Sequence, residues 1–405
     1  MEFIKATNEE KDICNNSENG KRNNSAKINY LNKVNDKPWG KEYLAFQNKE
    51  IGIWILHVNK NQETSLHCHF KKDTILVPLI GCFKINLYDS FKILNIFDFL
   101  YVPRNTFHGI HSYVENGILM EIEVYTENID YTDKNDLLRL RDIYNRDKNK
   151  YETSIVERDP YENELMDFLI PNKYQLENTQ ITIEKVNNLN ELENAKKYDK
   201  IILLNGTLFN NGKKITSGSI IDFETEYSFL TNSVDLLCLS NINVPYINKI
   251  IYSKEHLKDK LLIKINEFKN IGLTSGCFDI LHEGHIKNLK ICKKNCDHLF
   301  VCLSSDKQIE RLKGTKRPIN NLIDRVNMLI HFDFIDFIIL YDESNDELET
   351  ELDNIMNIIN PSTWFKGSDY NIINILRKHP NLKNIKLIDL VEGKSTTNIV
   401  KKINI

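Results

Sequence analysis

Apolar and polar positions follow different rhythms along the chain. Between residues 29 and 150 the apolar runs are short: IGIWILHV, DTILVPLI, CFKINLY, FDFLYVP and GILMEIEVY, rich in β-branched and aromatic residues and separated by turns. That rhythm predicts an all-β sandwich or small barrel. From 134 to 147, Leu137, Leu138, Leu140 and Ile143 fall at roughly helical spacing among charges, which predicts a helix leaving the barrel. Residues 1–28 are polar, Asn-rich and aperiodic, and are expected to form a disordered tail. Residues 151–180 are polar, include Pro160 and Pro171, and read as a linker.

Strand-like runs return in KIILLNGTLFNNGKKITSGSIIDF. Asn-Asn-Gly between two apolar runs predicts a hairpin, and Ser217–Phe223 a turn entering a strand. A second, smaller β-domain that is a degenerate version of the first is expected over 181–255. It has no histidine between 181 and 250, so it cannot copy a histidine metal site. Beyond 256, the apolar runs IGLTSG, HLFVCLSS, DFIILYD, STWFKG and IKLIDL alternate with helical segments. This βαβ pattern predicts a parallel, Rossmann-like α/β sheet over 256–405. The fold class expected is therefore multidomain: an all-β barrel, a smaller β-domain and a C-terminal α/β domain.

Composition changes this picture little. A net charge of −4 supplies no basic field for nucleic acid or a membrane surface. No apolar run reaches the ~18 residues of a bilayer span, and the N-terminal residues lack the apolar region of a signal peptide. Eight scattered cysteines predict reduced thiols and a cytoplasmic protein rather than a disulfide framework. Cys292 and Cys296, with His298 nearby, have the spacing of one helix face and no second cysteine pair follows, so they are not read as a metal cluster.

Chemistry concentrates in TSGCFDILHEGHIKNL, residues 274–289. A strand ends there and a helix begins, which places His282 and His285 at a helix N-terminus. Backbone N–H groups and the helix dipole favour an anion at such a point. Gly284 lets the backbone approach a ligand closely. Two imidazoles add directed donors for charge that develops on phosphate oxygens.

With these offsets the segment resembles the nucleotidyltransferases that include glycerol-3-phosphate cytidylyltransferase and heptose-1-phosphate adenylyltransferase. The resemblance spans about residues 270–403. RLKGTKRPIN with the later Arg325, WFKGSDY and EGKSTTNIVKKI follow in the family's order, and their form is closest to the heptose-phosphate branch. The resemblance implies transfer of a nucleotidyl group from an NTP to a sugar phosphate, with ATP favoured and CTP open, and with Mg²⁺ accompanying the triphosphate. It assigns His282, His285 and Lys313 to catalysis, with Lys316 and Arg317 as helpers. Gly276, Phe278, Asp279, Gly284, Arg325, Gly367, Asp369, Ser395, Thr396 and Thr397 would bind the nucleotide, Asp279 by orienting the loop rather than as a base.

In the barrel, KPWGKEYL, SLHCHFKKDTILVPLIG and VPRNTFHGIH resemble a cupin of the sugar-phosphate isomerase type. The resemblance implies a site for Zn²⁺, Mn²⁺ or Fe²⁺ on His67, His69 and His108. Residues i and i+2 of a strand share a face, so His67 and His69 point the same way. The family's glutamate, five residues after the second histidine, is here Thr74. Asp73, His111 and Glu121 are the other suppliers of a fourth ligand. The barrel would isomerise or epimerise a related sugar, or else serve as a binding or dimerising module. Both resemblances imply a homodimer, with NTP and sugar phosphate as the small-molecule partners.

Overall fold

The structure is a computed structural model. It describes residues 1–17, 29–31, 33–146, 155–157, 165–169, 172–241, 246–264, 268–342, 351–368, 371–373, 384–389, 391, 396 and 399. Two compact units divide the chain, Met1–Val244 and Pro245–Ile405.

The first unit is built on two facing sheets. One has eight strands in the order Glu2–Phe3, Leu100–Val102, Lys72–Ile80, Gly117–Tyr125, Ile51–Val58, Gly40–Gln47, Lys33–Lys37 and Ile155–Glu157. The other has five: Leu138–Arg141, Leu66–Cys68, His108–Ser112, Phe83–Leu87 and Phe91–Leu94. Trp54, Leu76 and Leu119 from the first sheet meet Phe83, Ile85 and Ile110 from the second in one apolar cluster. Fully burying each such side chain is worth about 1.5–3 kcal/mol. The turn of the Pro-Trp-Gly motif requires its glycine. Gly40 has φ 145°, and a Cβ there would lie 1.9 Å from the His57 carbonyl oxygen.

The expected tail is ordered over its first seventeen residues. Glu2–Phe3 pairs in parallel with Leu100–Tyr101, and Asn8–Asn15 is a helix closed by a capping box between Thr7 and Glu10. Glu10 is buried, and its second carboxylate oxygen accepts from Phe107 N at 2.7 Å. Cys14 packs on Cys68 with the sulfurs 3.5 Å apart, both as free thiols. The rest of the expected tail, 18–28, lies outside the described residues.

The helix expected over 134–147 is also corrected. Leu138–Arg141 is a strand antiparallel to Leu66–Cys68, with Arg139 opposite His67. The strand edge that carries the histidines takes this segment as its neighbour, and pairing overrides the helical spacing.

The expected linker and small β-domain belong to the same compact unit as the barrel. Phe168 N donates to Ala45 O at 2.9 Å, and Thr179 Oγ1 to Leu79 O at 2.8 Å. The sheet Lys173–Leu176, Thr179–Val186, Val234–Asn241 and Lys200–Asn205 has its own apolar cluster around Leu192, Leu203 and Leu236. It is tied to the barrel by Asn48 Nδ2, which donates to Leu204 O at 3.0 Å. The expected hairpin is present as Leu208–Asn210 and Lys213–Ile215, turned by Asn211 (φ 46°) and Gly212 (φ 78°). Ser217–Phe223 enters no strand; it makes one bridge, Ile202 to Ile220.

The second unit has six parallel strands in the order Ile250–Ile251, Phe337–Tyr341, His298–Ser304, Ile271–Gly276, Thr363–Gly367 and Ile385–Ile388. Its boundary lies at 245 rather than 256, because Ile250–Ile251 is already a strand of this sheet. Ile271–Gly276 is flanked by strands that follow it at different points in the chain, which makes its carboxyl end a topological switch point, where such sheets bind ligands. No helix among the described residues is long and apolar enough to cross a membrane.

Candidate functional sites: a histidine loop and a histidine cluster

The loop leaving Ile271–Gly276 leads into the helix Glu283–Lys294. His282 is the N-cap of that helix with extended backbone and no side-chain cap bond. His285 N donates to His282 O at 3.0 Å, and the two imidazoles stack with centroids 3.9 Å apart. Gly284 is buried in the first turn between them. Phe278, with φ 47°, turns the loop and sets its ring 5.3 Å from that of His285. A Cβ on Gly276 would lie 2.9 Å from the Phe278 ring, so that glycine keeps room for the turn.

Asp279 anchors the loop. It is 1% exposed and accepts from Arg317 Nε at 2.5 Å, Ile319 N at 2.8 Å and Asn320 N at 2.9 Å. Because all three of these groups donate to it, Asp279 holds the RPIN segment rather than standing available as a base. Arg317 is thereby engaged with Asp279. Lys313 ends the helix Asp306–Lys313, is exposed, and bears electrostatically on His285; Lys316 is exposed as well. Thr396 Oγ1 donates to Ile280 O at 3.4 Å, which brings Thr396 to the same loop. Gly367 ends the neighbouring strand, where Lys366 Nζ donates to Ser275 Oγ at 2.8 Å. Asp369, Ser395 and Thr397 lie outside the described residues.

Arg325 differs from a residue that reaches phosphate from a helix surface. It is fully buried. Its guanidinium donates to Asn320 O (3.1 Å), Cys277 O (2.7 Å), Ser304 O (2.8 Å) and Asp306 Oδ1 (2.7 Å). It clamps the histidine loop to the end of His298–Ser304, and so acts as a positioning residue.

Burial first, then His282 and Lys313, hold the His285 imidazolium down to a pKa of about 4. His285 is therefore neutral at physiological pH and presents one N–H donor. His57 and His108 are likewise lowered to about 4, and His256 to about 3, each chiefly by burial. An unfolded chain protonates these rings near pH 6.5, whereas the folded chain does so only near pH 4 or below. Their contribution to stability is complete above pH 6.5 and is lost as pH falls toward 4. Glu121, pushed up to about 7 by burial, works in the opposite sense between pH 4.5 and 7, but it is one group against several. In metal-free protein the melting temperature should fall between pH 7 and pH 5. A flat calorimetric profile over that range would contradict this.

In the first unit His67, His69 and His108 converge, with ligand atoms all within 4.8 Å of one another. His67 Nδ1 faces Ser65 O at 2.9 Å, His69 Nδ1 faces Asp136 O at 2.6 Å and His108 Nδ1 faces Thr106 O at 3.3 Å. Backbone carbonyls accept, so each Nδ1 carries the proton and each Nε2 is left with a lone pair. The Nε2 atoms of His69 and His108 are buried without a hydrogen-bond partner in the structure. Three neutral imidazole donors with fixed tautomers fit Zn²⁺, Mn²⁺ or Fe²⁺. Of the three candidate fourth ligands, Glu121 is the one that faces the cluster, with Oε1 4.0 Å from His69 Nε2. Asp73 is turned to Tyr101 Oη (2.6 Å) and Arg104 N (2.8 Å), and His111 lies beside Glu63. Thr74 is buried on the same strand as Asp73.

Purified protein reconstituted with Mn²⁺ or Zn²⁺ should hold one ion per chain by elemental analysis, and His67→Ala or His108→Ala should weaken binding by at least about 10²-fold. A wild-type chain that retains no ion after dialysis would remove the metal reading.

Sequence reasoning missed three groups around this cluster. Asp136 O orients His69, Glu10 fixes the backbone just before His108, and Arg139 stands opposite His67. The Thr7-x-x-Glu10 pattern was the available signal for the second; the other two had none beyond proximity to the misassigned helix.

Residues 273–393 match the family model described as cytidylyltransferase-like. The second unit contains a cytidylyltransferase-like domain. The chain is 42% identical over 145 residues to the bifunctional protein HldE of Campylobacter fetus subsp. fetus, covering 36% of this chain and 30% of that protein. It is 39% identical over 165 residues to HldE of Campylobacter jejuni subsp. jejuni serotype O:6, covering 41% and 34%. It thus spans about a third of the length of these curated relatives. Among solved structures, a lipopolysaccharide core biosynthesis protein from Thermoplasma volcanium GSS1 is 24% identical over 31% of this chain and 98% of that one, TM-score 0.26. An RmlC-like cupin from Shewanella frigidimarina NCIMB 400 is 22% identical over 25% and 89%, TM-score 0.22.

Proposed function

We propose that the second unit transfers a nucleotidyl group from a nucleoside triphosphate to a sugar phosphate. An oxygen of the acceptor phosphate attacks the α-phosphorus, the bond to the bridging oxygen breaks, and pyrophosphate leaves. No covalent enzyme intermediate forms, so rate comes from positioning and from donors aimed at developing charge. The observation that carries this reading is the stacked His282–His285 pair at a helix N-terminus on the carboxyl edge of the parallel sheet. Lys313 adds positive charge beside it, and Thr396 places a further hydroxyl at the loop. Mg²⁺ bound with the triphosphate would neutralise charge on the departing pyrophosphate.

The forms KGTKRPIN, WFKGSDY and STTNIVKKI support ATP and a heptose-1-phosphate-like acceptor, with CTP and a glycerol phosphate as the alternative pair. A panel of NTPs against sugar 1-phosphates and glycerol 3-phosphate, read by pyrophosphate release, tests both. Release with ATP and a sugar 1-phosphate supports the first; no release with any pair ends the proposal.

The reading extends to the barrel as a metal-dependent site for a related sugar, supported by the three oriented imidazoles, and to a homodimer. Isomerisation or epimerisation in the presence of the ion would support the barrel's part; a barrel that holds ion and sugar without turnover would make it a binding module. Light scattering that finds only a 47.5 kDa species at micromolar concentration would remove the dimer.

A further inference from the structure

Cys14 lies in the last turn of the helix Asn8–Asn15, and Cys68 ends the strand Leu66–Cys68. Their sulfurs are 3.5 Å apart, although 54 positions separate them in the chain. Both are free thiols. They are 5% and 0% exposed, in a small apolar cluster with Leu66 and Phe107.

Bonds outside the two cysteines hold this contact. Glu2–Phe3 pairs with Leu100–Tyr101, and the capping box of Thr7 and Glu10 closes the start of the helix. Glu10 Oε1 accepts from Phe107 N at 2.7 Å. The Cys14 thiol donates to Asn105 O at 3.8 Å, and Asn105 N donates to His69 O at 2.7 Å. The fold therefore presents the two sulfurs to each other before any bond joins them, which is the condition for fast intramolecular reaction. A disulfide is ~2.05 Å long, so the gap to close is roughly 1.5 Å, shared between two side chains.

The position of Cys68 in its strand matters as much as the distance. It stands between His67 and His69, and successive strand side chains face opposite ways. Chemistry at its sulfur takes place on the side of the strand away from the two imidazoles. The three histidines keep their nitrogen donors whatever the state of the thiols.

We propose that Cys14 and Cys68 form a modification site for peroxides, an oxidisable dithiol that closes into an internal disulfide between the helix and the back of the histidine strand. One thiol sulfur takes an oxygen from the peroxide and becomes a sulfenic acid, and hydrogen peroxide leaves as water. The second thiol sulfur attacks the first, the sulfur–oxygen bond breaks, and the oxygen departs with the two remaining protons as a second water. Two thiols thus give up two electrons and two hydrogens, and one peroxide is reduced to two waters. Access comes from the helix itself. Eight residues are too few to be stable alone, so this element opens locally more easily than the sheets it covers. Once formed, the bond holds the helix down. It also closes a long loop, which restricts the unfolded chain and should raise the melting temperature of the first unit by about 5 °C or more.

The test is treatment of the reduced, folded full-length chain with a small molar excess of hydrogen peroxide, followed by non-reducing peptide mapping of the monomer band. Wild type should yield a Cys14–Cys68 linked peptide, lose two of its eight titratable thiols and melt at the higher temperature. Dithiothreitol should reverse all three changes. C14S and C68S should each yield no linked peptide and show no rise in melting temperature on treatment. If one serine variant does not fold, the other supplies the comparison, and the wild-type map decides in either case. No linked peptide in folded wild type, a link that forms only in denatured chain, or Cys14 and Cys68 passing to sulfinic acid without joining would each overturn the proposal and leave the pair as packing alone.

Discussion

Alanine in place of His282 or His285 is expected to lower kcat for nucleotidyl transfer by about 10²-fold or more, the scale for losing one preorganised donor at developing oxyanion charge. The expectation comes from where the two rings sit. They stack 3.9 Å apart at the start of Glu283–Lys294, where backbone N–H groups already favour an anion. His285 is neutral at working pH, so it contributes a directed N–H rather than a full charge. Its loss should appear more in kcat than in KM, because the charge it meets grows only as the phosphorus–oxygen bonds rearrange. Folding should change little: both rings are only partly buried, and neither caps the helix through its side chain. Steady-state kinetics with pyrophosphate detection, alongside melting curves, separates the two effects. Wild-type turnover in both folded variants would refute the catalytic assignment.

The parts of this molecule that were legible in its sequence are those where one local rule decides. The runs IGIWILHV and GILMEIEVY are too short and too β-branched for helices, and both are central strands. His67 and His69 are two apart, so a strand sets them on one face, and His108 meets them because His108 pairs with His67 in register. The errors arose where tertiary pairing overrode a local pattern. Around Leu138–Arg141 the leucines fit a helical stripe and a strand about equally, and the charges between them do not distinguish the two. Lys134 and Arg139 line a cavity, an arrangement that hydropathy does not reveal. The fourth ligand was undecidable for a related reason. Glu121 and Glu123 share a face of one strand, yet Glu123 is joined to Lys72 at 2.5 Å while Glu121 faces His69. Only the neighbouring strands distinguish them. Residues 1–17 were misread although Thr7 and Glu10 carried a capping signature, because a single polar turn with no apolar period gives composition the louder voice.

Arg325→Met is expected to destabilise the second unit by about 3 kcal/mol or more, a large effect for one side chain outside any apolar cluster. Methionine fills a similar volume without donors. The substitution therefore leaves the buried carbonyl of Ser304 and the half-buried carbonyls of Cys277 and Asn320 without the bonds that Arg325 now makes to them. A buried orphaned acceptor costs about 1–3 kcal/mol and the half-buried ones less, and the three losses add. The ion pair with Asp306 adds little, because that carboxylate is 42% exposed and water replaces its partner. For a unit of this size the loss corresponds to a melting temperature lower by roughly 6–12 °C. Activity should fall as well, since the clamp fixes Cys277 at the root of the histidine loop. Arg325→Lys should recover only part of the stability, because one ammonium cannot reach acceptors spread around a planar fork. The alternative, direct contact between Arg325 and the triphosphate, makes a different prediction: KM for the NTP rises and melting is unchanged. Calorimetry and steady-state kinetics on the same two variants decide between them, and an unaltered melting temperature in Arg325→Met would show that the guanidinium serves the ligand rather than the fold.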